Sequence, residues 1–186
     1  MSAFDESLSF VLSNEGGYVD DPYDRGGETN MGITAGTMRR AYNDGLVGHI
    51  DVKTLTRDEA AVIYERYYWR PSHACDMDAP LCTLHFDAAV NHGLGGAAKL
   101  LQRTVNDYAA KAKLDISLEV DGAVGVKTLA ALNVCVAYRG NIKLICEIYC
   151  DMRADYFQAI VKSRPNQSRY LNGWLKRIDR NRALIK

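Results

Sequence analysis

NEGGYVDDPYDRGGETNMGIT, residues 14–34, is the least helical part of the sequence. It holds five glycines and one proline, residues that are unfavourable inside a helix. The stretch therefore predicts a loop or a small irregular hairpin near residues 18–34, at the point where the first helix of the chain ends.

Helical patterns fill most of the remaining sequence. Phe4, Leu8 and Val11 recur at spacings of four and three, which predicts an amphipathic helix over residues 3–13 with Ser2 as its cap. Capping patterns, prolines and glycines delimit the other helices. These run from Thr34 to Asn43, from Thr56 to about Tyr68 and from Pro80 to about Asn91. Gly93, Gly95 and Gly96 then interrupt the pattern, and a further helix runs through Ala110. The remaining helices cover 127–133, 138–162 and the stretch after Pro165. The predicted fold class is mainly α, with at most that small β-hairpin.

Length and composition suit a single packed protein: the chain has 186 residues, and 47% of them are hydrophobic. No apolar run approaches the roughly 20 residues of a membrane helix, and the first residues, MSAFDESLSF, lack the basic start and apolar run of a signal peptide. We expect synthesis in the cytoplasm without a signal peptide, and no stable insertion into a membrane.

Charge is unevenly distributed, although the formal net charge is zero. Residues 1–100 hold 8 basic and 15 acidic side chains, whereas residues 138–186 hold 11 basic and 4 acidic ones. Such a basic end suits an anionic polymer, such as a cell wall, nucleic acid or a membrane surface, or it is a solvated helix face. Because the sequence has no recognisable nucleic-acid reading motif, we do not expect nucleic acid as the partner.

The cysteine content argues against a disulfide framework, because five is an odd number. No CxxC pair occurs and no histidine lies at zinc-ligand spacing from a cysteine, so we expect reduced thiols and no structural metal. The five are Cys75, Cys82, Cys135, Cys146 and Cys150.

Glu15 lies where the first predicted helix meets the glycine-rich loop, a junction that exposes a side chain to a cleft while its backbone stays anchored. Cleavage of a glycosidic bond needs a carboxylic acid that protonates the leaving oxygen, and a second group that attacks the sugar or activates water. Glu15 is a candidate for that acid. Taken alone, a glutamate before two glycines is more often a surface residue at a helix end.

Several segments together resemble the muramidases of glycoside hydrolase family 108, a lysozyme-like family of phage lysis proteins and secretion-associated muramidases. The resemblance covers most of the chain, with the segments in the family's order. The segments are EGGYVDDPYDRGGETNMGIT (Glu15 to Thr34), FDAAVNHG (Phe86 to Gly93), LLQ (Leu100 to Gln102), DGAVGVKTLAAL (Asp121 to Leu132), the pair Arg153 and Tyr156, and GWLKR (Gly173 to Arg177). The second half resembles the family's carboxy-terminal region, a predicted peptidoglycan-binding domain.

The resemblance implies an all-helical, lysozyme-like single domain over residues 1–186. Residues 1–100 would form the catalytic part with its glycine-rich loop, and residues 101–186 the helical carboxy-terminal part. The implied reaction is hydrolysis of the β-1,4 bond between N-acetylmuramic acid and N-acetylglucosamine, with Glu15 as the acid and no cofactor. The implied partner is the peptidoglycan glycan strand, met in the periplasm or outside the cell by a monomer that a holin or a secretion channel releases.

Asp24 is the candidate for the second catalytic group. It follows Glu15 by nine residues, a spacing that resembles the Glu and Asp of phage-type lysozymes. Asp20 and Asp21 compete with it, and an aspartate beside proline or glycine also serves to stabilise a turn. In phage-type lysozymes a threonine further along helps to hold water, and Thr29 and Thr34 are the hydroxyls to consider; Thr29 completes the predicted catalytic set.

Aromatic and amide side chains that grip sugars are the other candidates. For Trp69 the alternative is packing in the core, and for Asn91 and His92 it is capping of a helix end. Asp87 is read as a helix-face residue or an internal hydrogen-bond partner and stays outside the catalytic set. The predicted substrate-binding residues are Tyr18, Asn30, Trp69, Asn91 and His92, with Tyr23 a further cleft candidate.

Three other functions remain open from the sequence. A lytic transglycosylase would use the same glutamate but form an anhydro-sugar. A cysteine peptidase of wall peptides would pair Cys75 or Cys82 with His85 or His92. A wall-binding or secretion-assisting module would keep the lysozyme shape without activity.

Overall fold

The computed structural model describes residues 1–20 and 27–186. The described part holds seven α-helices and one two-stranded antiparallel hairpin, which confirms the mainly α prediction with a small hairpin inside residues 18–34. The helices are α1 (Ala3–Asn14), α2 (Ala35–Asn43), α3 (Arg57–Tyr64), α4 (Leu81–Ala112), α5 (Val126–Ala137), α6 (Ile142–Ser163) and α7 (Ser168–Arg182), and the strands are β1 (Thr29–Asn30) and β2 (Ile33–Thr34). The chain divides into two compact units, Met1–Pro71 and Ser72–Lys186.

Side-chain caps start the helices of the first unit where the sequence predicts them. Ser2 opens α1 in a reciprocal capping box with Asp5, and Thr34 caps α2 by accepting the backbone N–H of Thr37. Thr56 and Glu59 form the second capping box, at the start of α3. Each cap satisfies backbone N–H groups that have no partner inside the helix, so these starts are fixed by local chemistry.

The end of α3 differs from a plain helix. After Tyr64 the chain widens into one turn of π-helix, Glu65–Trp69, so the predicted helix to about Tyr68 is present with an altered last turn. The turn places the Trp69 ring in the core of the first unit, where its centroid lies 5.6 Å from that of Phe4. Single π turns within helices are frequent at functional sites.

In the second unit, α4 is interrupted by a kink at Gly93, one of the three glycines at which the sequence predicts a break. Of Gly93, Gly95 and Gly96, only Gly93 leaves helical geometry, with φ 74° and ψ 164°. Glycine adopts this positive φ without steric cost, so the kink falls where the sequence predicts a break, and the helical pattern resumes after it. The helix packs against α6, which in turn packs against α7.

A buried ion cluster lies among these three helices of the second unit. Asp87 of α4 accepts hydrogen bonds from Arg153 Nη2 at 2.9 Å, from Arg177 Nε at 3.0 Å and from Asn181 Nδ2 at 3.1 Å. Asp87, Arg153 and Asn181 have no exposed surface. Burial raises the pKa of Asp87, but the charges of Arg153 and Arg177 outweigh that effect and hold it below its usual value. We call these four residues the Asp87 cluster.

Every helix of the described residues is too short or too polar to cross a lipid bilayer.

Candidate active site

Glu15 lies at the exit of α1, where the backbone turns from helical to extended. Its N–H closes the last turn of the helix by bonding the carbonyls of Val11 and Leu12, at 3.2 and 3.3 Å. The side chain is half-buried, while Gly16 and Gly17 beyond it are exposed. The anchored backbone and partly open side chain agree with the position that the sequence predicts.

The hairpin turn opposite Glu15 has two consecutive residues with positive φ, Met31 at 50° and Gly32 at 75°. This is the backbone that a two-residue hairpin between Asn30 and Ile33 requires, because it matches the twist of the paired strands. Glycine adopts it without cost, whereas methionine is strained there. The Tyr64 hydroxyl donates a hydrogen bond to the Met31 carbonyl at 2.8 Å and so stabilises this strained backbone conformation.

Gly32 lies directly against the Glu15 side chain. A methyl group at Gly32 would sit 2.9 Å from both Cγ and Oε2 of Glu15, and 2.6 Å from the Tyr64 hydroxyl oxygen. Such distances are shorter than van der Waals contact, so only glycine fits. The turn, the carboxylate and the tyrosine hydroxyl therefore form one packed group.

Tyr68 completes this group from the π-helical turn. Its ring centroid lies 5.7 Å from that of Tyr64. Burial and, to a smaller extent, the negative charge of Glu15 raise the pKa of Tyr68, while the Arg40 charge acts in the opposite direction. A tyrosine that stays protonated keeps its O–H as a donor, and the charge of Glu15 acts on this one. We call Glu15, Gly32, Tyr64 and Tyr68 the Glu15 site.

Sequence reasoning did not assign Gly32, Tyr64 and Tyr68 to the site. The available signal was the spacing of four between the two tyrosines, which puts both rings on one helix face, beside a Met-Gly turn that needs positive φ. Nothing local in the sequence pairs that face with Glu15.

Asp24, the predicted second catalytic group, lies outside the described residues, as do Asp21 and Tyr23. Asp20 is described and is exposed. The role of Asp24 stays a prediction.

The two threonines differ in how their hydroxyls are used. Thr34 Oγ1 accepts the Thr37 N–H at 3.1 Å and so is engaged in capping α2. Thr29 pairs through its backbone with Val19 and faces Thr34 across the hairpin, and its hydroxyl bonds to no described residue. Of the two, Thr29 is the one whose hydroxyl is not engaged by a described residue, and its catalytic role stays a prediction.

The predicted sugar-binding residues of the first unit have different exposures. Tyr18 is 37% exposed and its hydroxyl donates to Glu28 at 3.2 Å. Asn30 is buried, and its amide N–H groups donate to the carbonyls of Val52 and Lys53. Trp69 is 5% exposed, which is the core packing that the sequence left as an alternative. Tyr18 is thus the residue of this set that presents its side chain to solvent.

Asn91 and His92 belong to the second unit, just before the kink in α4. Asn91 is exposed. His92 Nε2 accepts a hydrogen bond from Arg153 Nε at 3.4 Å, and its ring packs edge-on against Tyr156. Their proposed contact with substrate stays a prediction.

The geometry gives the cysteine peptidase no support. All five cysteines are unbridged, and Cys75 is the exposed one. The ring nitrogens of His85 are engaged by the Tyr149 hydroxyl at 2.9 Å and the Ser72 carbonyl at 3.1 Å, which leaves neither to activate a thiol. Among the residues that the structure describes, no group of three or more His, Cys, Asp and Glu side chains could hold a metal ion.

Comparison with known proteins supports the resemblance to glycoside hydrolase family 108. The model of the family Glycosyl hydrolase 108 matches residues 8–93, which include the whole Glu15 site, and the model described as Predicted Peptidoglycan domain matches residues 96–179. The solved structure of SagA from Brucella abortus is similar to the chain, with 33% identity, 97% of this chain and 91% of that chain covered, and a TM-score of 0.72. No curated protein matches the sequence. The chain therefore belongs to glycosyl hydrolase family 108, with a predicted peptidoglycan domain after the hydrolase part.

Proposed function

We propose that this protein is an N-acetylmuramidase, which hydrolyses the β-1,4 bond between N-acetylmuramic acid and N-acetylglucosamine in peptidoglycan. Glu15 is the general acid. The observation that carries the proposal is that the Glu15 carboxylate and the Tyr64 hydroxyl both lie against Gly32, inside the segment that matches the glycosyl hydrolase family. Residues 1–100 are the catalytic part and residues 101–186 bind the wall.

The chemistry needs a proton delivered to the leaving oxygen from a carboxyl group of fixed position. The helix end holds the Glu15 backbone, and the left-handed turn at Gly32 fills the space beside its side chain, so few rotamers are open to it. The Tyr64 hydroxyl donates to Met31 and thereby fixes the turn. This group therefore positions the acid before substrate binds.

Asp24 is the proposed partner of Glu15, either as the base that activates water or as the group that stabilises the positive charge on the sugar. Thr29 holds the water. The open Thr29 hydroxyl and the exposed ring of Tyr18 supply further contacts to the glycan strand. No cofactor takes part, and the protein acts as a monomer after a holin or a secretion channel lets it reach the wall.

Digestion of purified peptidoglycan, with mass spectrometry of the released fragments, tests the proposal. Wild type should release fragments with reducing N-acetylmuramic ends, and Glu15→Gln should lower the rate by at least about 100-fold because it removes the proton with little change in volume. Glu6→Gln makes the same chemical change on the exposed face of α1 and should digest like wild type.

Each alternative has its own outcome. Anhydro ends from wild type would make the protein a lytic transglycosylase with the same acid. Binding to sacculi without any fragments would make it a wall-binding or secretion-assisting module. Full activity in Glu15→Gln would remove Glu15 from the mechanism.

A further inference from the structure

We propose that the second unit has a binding site of its own for an N-acylated amino sugar that carries a carboxylate, at a pocket lined by α4, the turn at residues 121–125 and α6. The pocket has a volume of about 520 Å³, and its chemistry comes from His92, Lys99, Arg103 and Tyr156. We call it the Tyr156 pocket. The choice of ligand rests on the proposed action on peptidoglycan.

Gly122 allows the pocket to form, because it lets the turn lie tightly against α4. Gly122 has φ 86°, and a methyl group there would lie 3.3 Å from the Gly95 carbonyl oxygen and 3.0 Å from Lys99 Cε. Gly95 faces the turn from α4, where a methyl group would lie 3.7 Å from the Gly122 carbonyl oxygen, an ordinary van der Waals contact. A larger residue at Gly122 would push the turn outward and change the shape of the pocket wall.

Buried Gln102 holds that wall in place. Its Oε1 accepts the Gly122 N–H at 3.0 Å, while its Nε2 donates to Asp121 Oδ1 at 2.7 Å and to the Ala123 carbonyl at 3.0 Å. A side chain with 1% exposure and three bonds to one turn has little freedom to move. The pocket is therefore formed before a ligand arrives, which lowers the entropic cost of binding.

The pocket carries excess positive charge. Lys99 and Arg103 are four residues apart on one face of α4, both are exposed, and neither forms an ion pair with a described residue. Asp121 is the one carboxylate among the described lining residues, and it already accepts bonds from Gln102 and from the Ala123 N–H. Two cations against one engaged carboxylate favour an anionic ligand group.

The Asp87 cluster extends to the pocket through His92. Because Arg153 Nε donates to His92 Nε2, the remaining ring proton must sit on Nδ1. Burial and the Arg153 charge lower the pKa of His92 to about 3, so the ring stays neutral. Its Nδ1–H has no acceptor among the residues that the structure describes, and so offers a donor of fixed orientation to a ligand carbonyl.

Tyr156 supplies an aromatic surface at the same place. Its ring is 42% exposed and stands at 85° to the His92 ring, with centroids 5.1 Å apart. Aromatic rings of this kind pack against the C–H face of a sugar. The pocket thus combines a stacking face, a donor for an acyl carbonyl and two cations for a carboxylate, and a muramyl residue with its attached peptide carries all three complementary groups.

Binding to the soluble fragment N-acetylglucosaminyl-N-acetylmuramyl-tripeptide and to purified sacculi tests this proposal, in a Glu15→Gln protein so that the ligand stays intact. Lys99→Glu combined with Arg103→Glu should weaken binding of both by at least about tenfold and flatten the dependence on salt. A matched control, Lys127→Glu with Lys162→Glu, makes the same charge change at exposed positions of the second unit outside the pocket, and should bind like the parent.

The uncharged oligomer chitotetraose separates the two contributions. Its affinity should be unchanged by the double charge reversal but should fall in Tyr156→Ala, with Trp174 fluorescence confirming that the variants are folded. Unchanged sacculus binding in both pocket variants would overturn the proposal. If those variants bind normally while wild type digests peptidoglycan, the pocket assignment fails alone. If the pocket variants lose binding while wild type releases no fragments, the muramidase assignment fails alone.

Discussion

Glu15 in the first unit and Asp87 in the second are both carboxylates of segments that resemble family 108, yet their surroundings are opposite. Asp87 is fully buried and accepts bonds from two arginines and an asparagine. Glu15 is half-buried at a helix end, against the turn at Gly32 that the Tyr64 hydroxyl also approaches. The first environment fixes a charge inside the protein, and the second keeps a carboxyl group within reach of a ligand.

The difference lies in position rather than residue type, and it separates the structural carboxylate from the one that we propose as catalytic. Arginine charges keep the pKa of Asp87 low, so it holds no proton to donate near neutral pH, and its burial denies access to substrate. An acid for glycoside cleavage needs the reverse in both respects. The contrast predicts that variants at Asp87 act on stability, and variants at Glu15 on catalysis.

The largest expected change in stability is that of Asp87→Asn. It leaves Arg153 and Arg177 with an uncompensated buried charge, which should lower the free energy of unfolding by about 3–5 kcal/mol. The chain has two tryptophans, so in a Trp69→Phe background the fluorescence of Trp174 reports on the second unit alone during denaturation.

Asp155→Asn is the control for this variant. It is an exposed carboxylate on α6 with no ion pair to a described residue, and its change should stay within about 0.5 kcal/mol. Equal, small effects for Asp87→Asn and Asp155→Asn would show that the cluster does not stabilise the fold.

Gly32→Ala should have the next largest effect, on the first unit. Alanine is strained at φ 75°, and its methyl group would meet Tyr64 and Glu15, so we expect a loss of about 2–4 kcal/mol, together with lower activity. Trp69 fluorescence in a Trp174→Phe background measures it. Gly27→Ala separates the two causes, because Gly27 has φ 65° with no atom within 4 Å and should lose only about 1–2 kcal/mol.

What could be predicted from the sequence follows the same division between local and distant contacts. The caps at Ser2, Thr34 and Thr56 and the position of Glu15 depend on neighbours within a few residues, and all were predicted correctly. The hydrogen bond from Tyr64 to Met31, by contrast, joins residues 33 apart in the chain. No short pattern encodes it, because only the packed fold brings its partners together.

The later motifs show the same limit. Resemblance marked Phe86–Gly93, Arg153 and Gly173–Arg177 as family segments, but sequence reasoning did not connect them. The structure shows that they meet in the Asp87 cluster, across separations of 66 and 90 residues. Asp87 stays outside the predicted catalytic set, and the structure shows it as an internal hydrogen-bond partner, one of the two interpretations that the sequence allowed.

Mild acid should weaken the second unit before it titrates the Asp87 cluster. Burial lowers the pKa of His85 to about 4, so its neutral form stabilises the fold fully above its ordinary value of about 6.5, and this stability is lost as the pH falls from about 6.5 to about 4. Between pH 6.5 and pH 5 we expect His85 to contribute a loss of about 1.5 kcal/mol by Trp174 fluorescence, and His92, whose pKa burial lowers to about 3, to add a loss of similar size. Asp87, with its lowered pKa, contributes its loss only at more acidic pH. A His85→Gln variant should lose less free energy of unfolding over the same pH interval. An unchanged dependence of that free energy on pH would assign the effect to other groups.

Tyr64→Phe should have the smallest effect and tests how closely stability and catalysis are linked at Glu15. Removing the hydroxyl leaves the Met31 carbonyl without its donor, which should cost about 1 kcal/mol in the first unit. Tyr67→Phe is the matched change, since the Tyr67 hydroxyl donates to Asp44 on the exposed surface, and losing that bond should cost less stability.

If Tyr64 only stabilises the turn, activity should fall no further than the unfolded fraction explains. If it also positions the acid, Tyr64→Phe should lower kcat severalfold under conditions where Trp69 fluorescence shows a folded protein, while Tyr67→Phe leaves kcat unchanged. That result would mean that the hairpin turn belongs to the catalytic apparatus, whereas the Asp87 cluster, which makes more bonds, serves the fold.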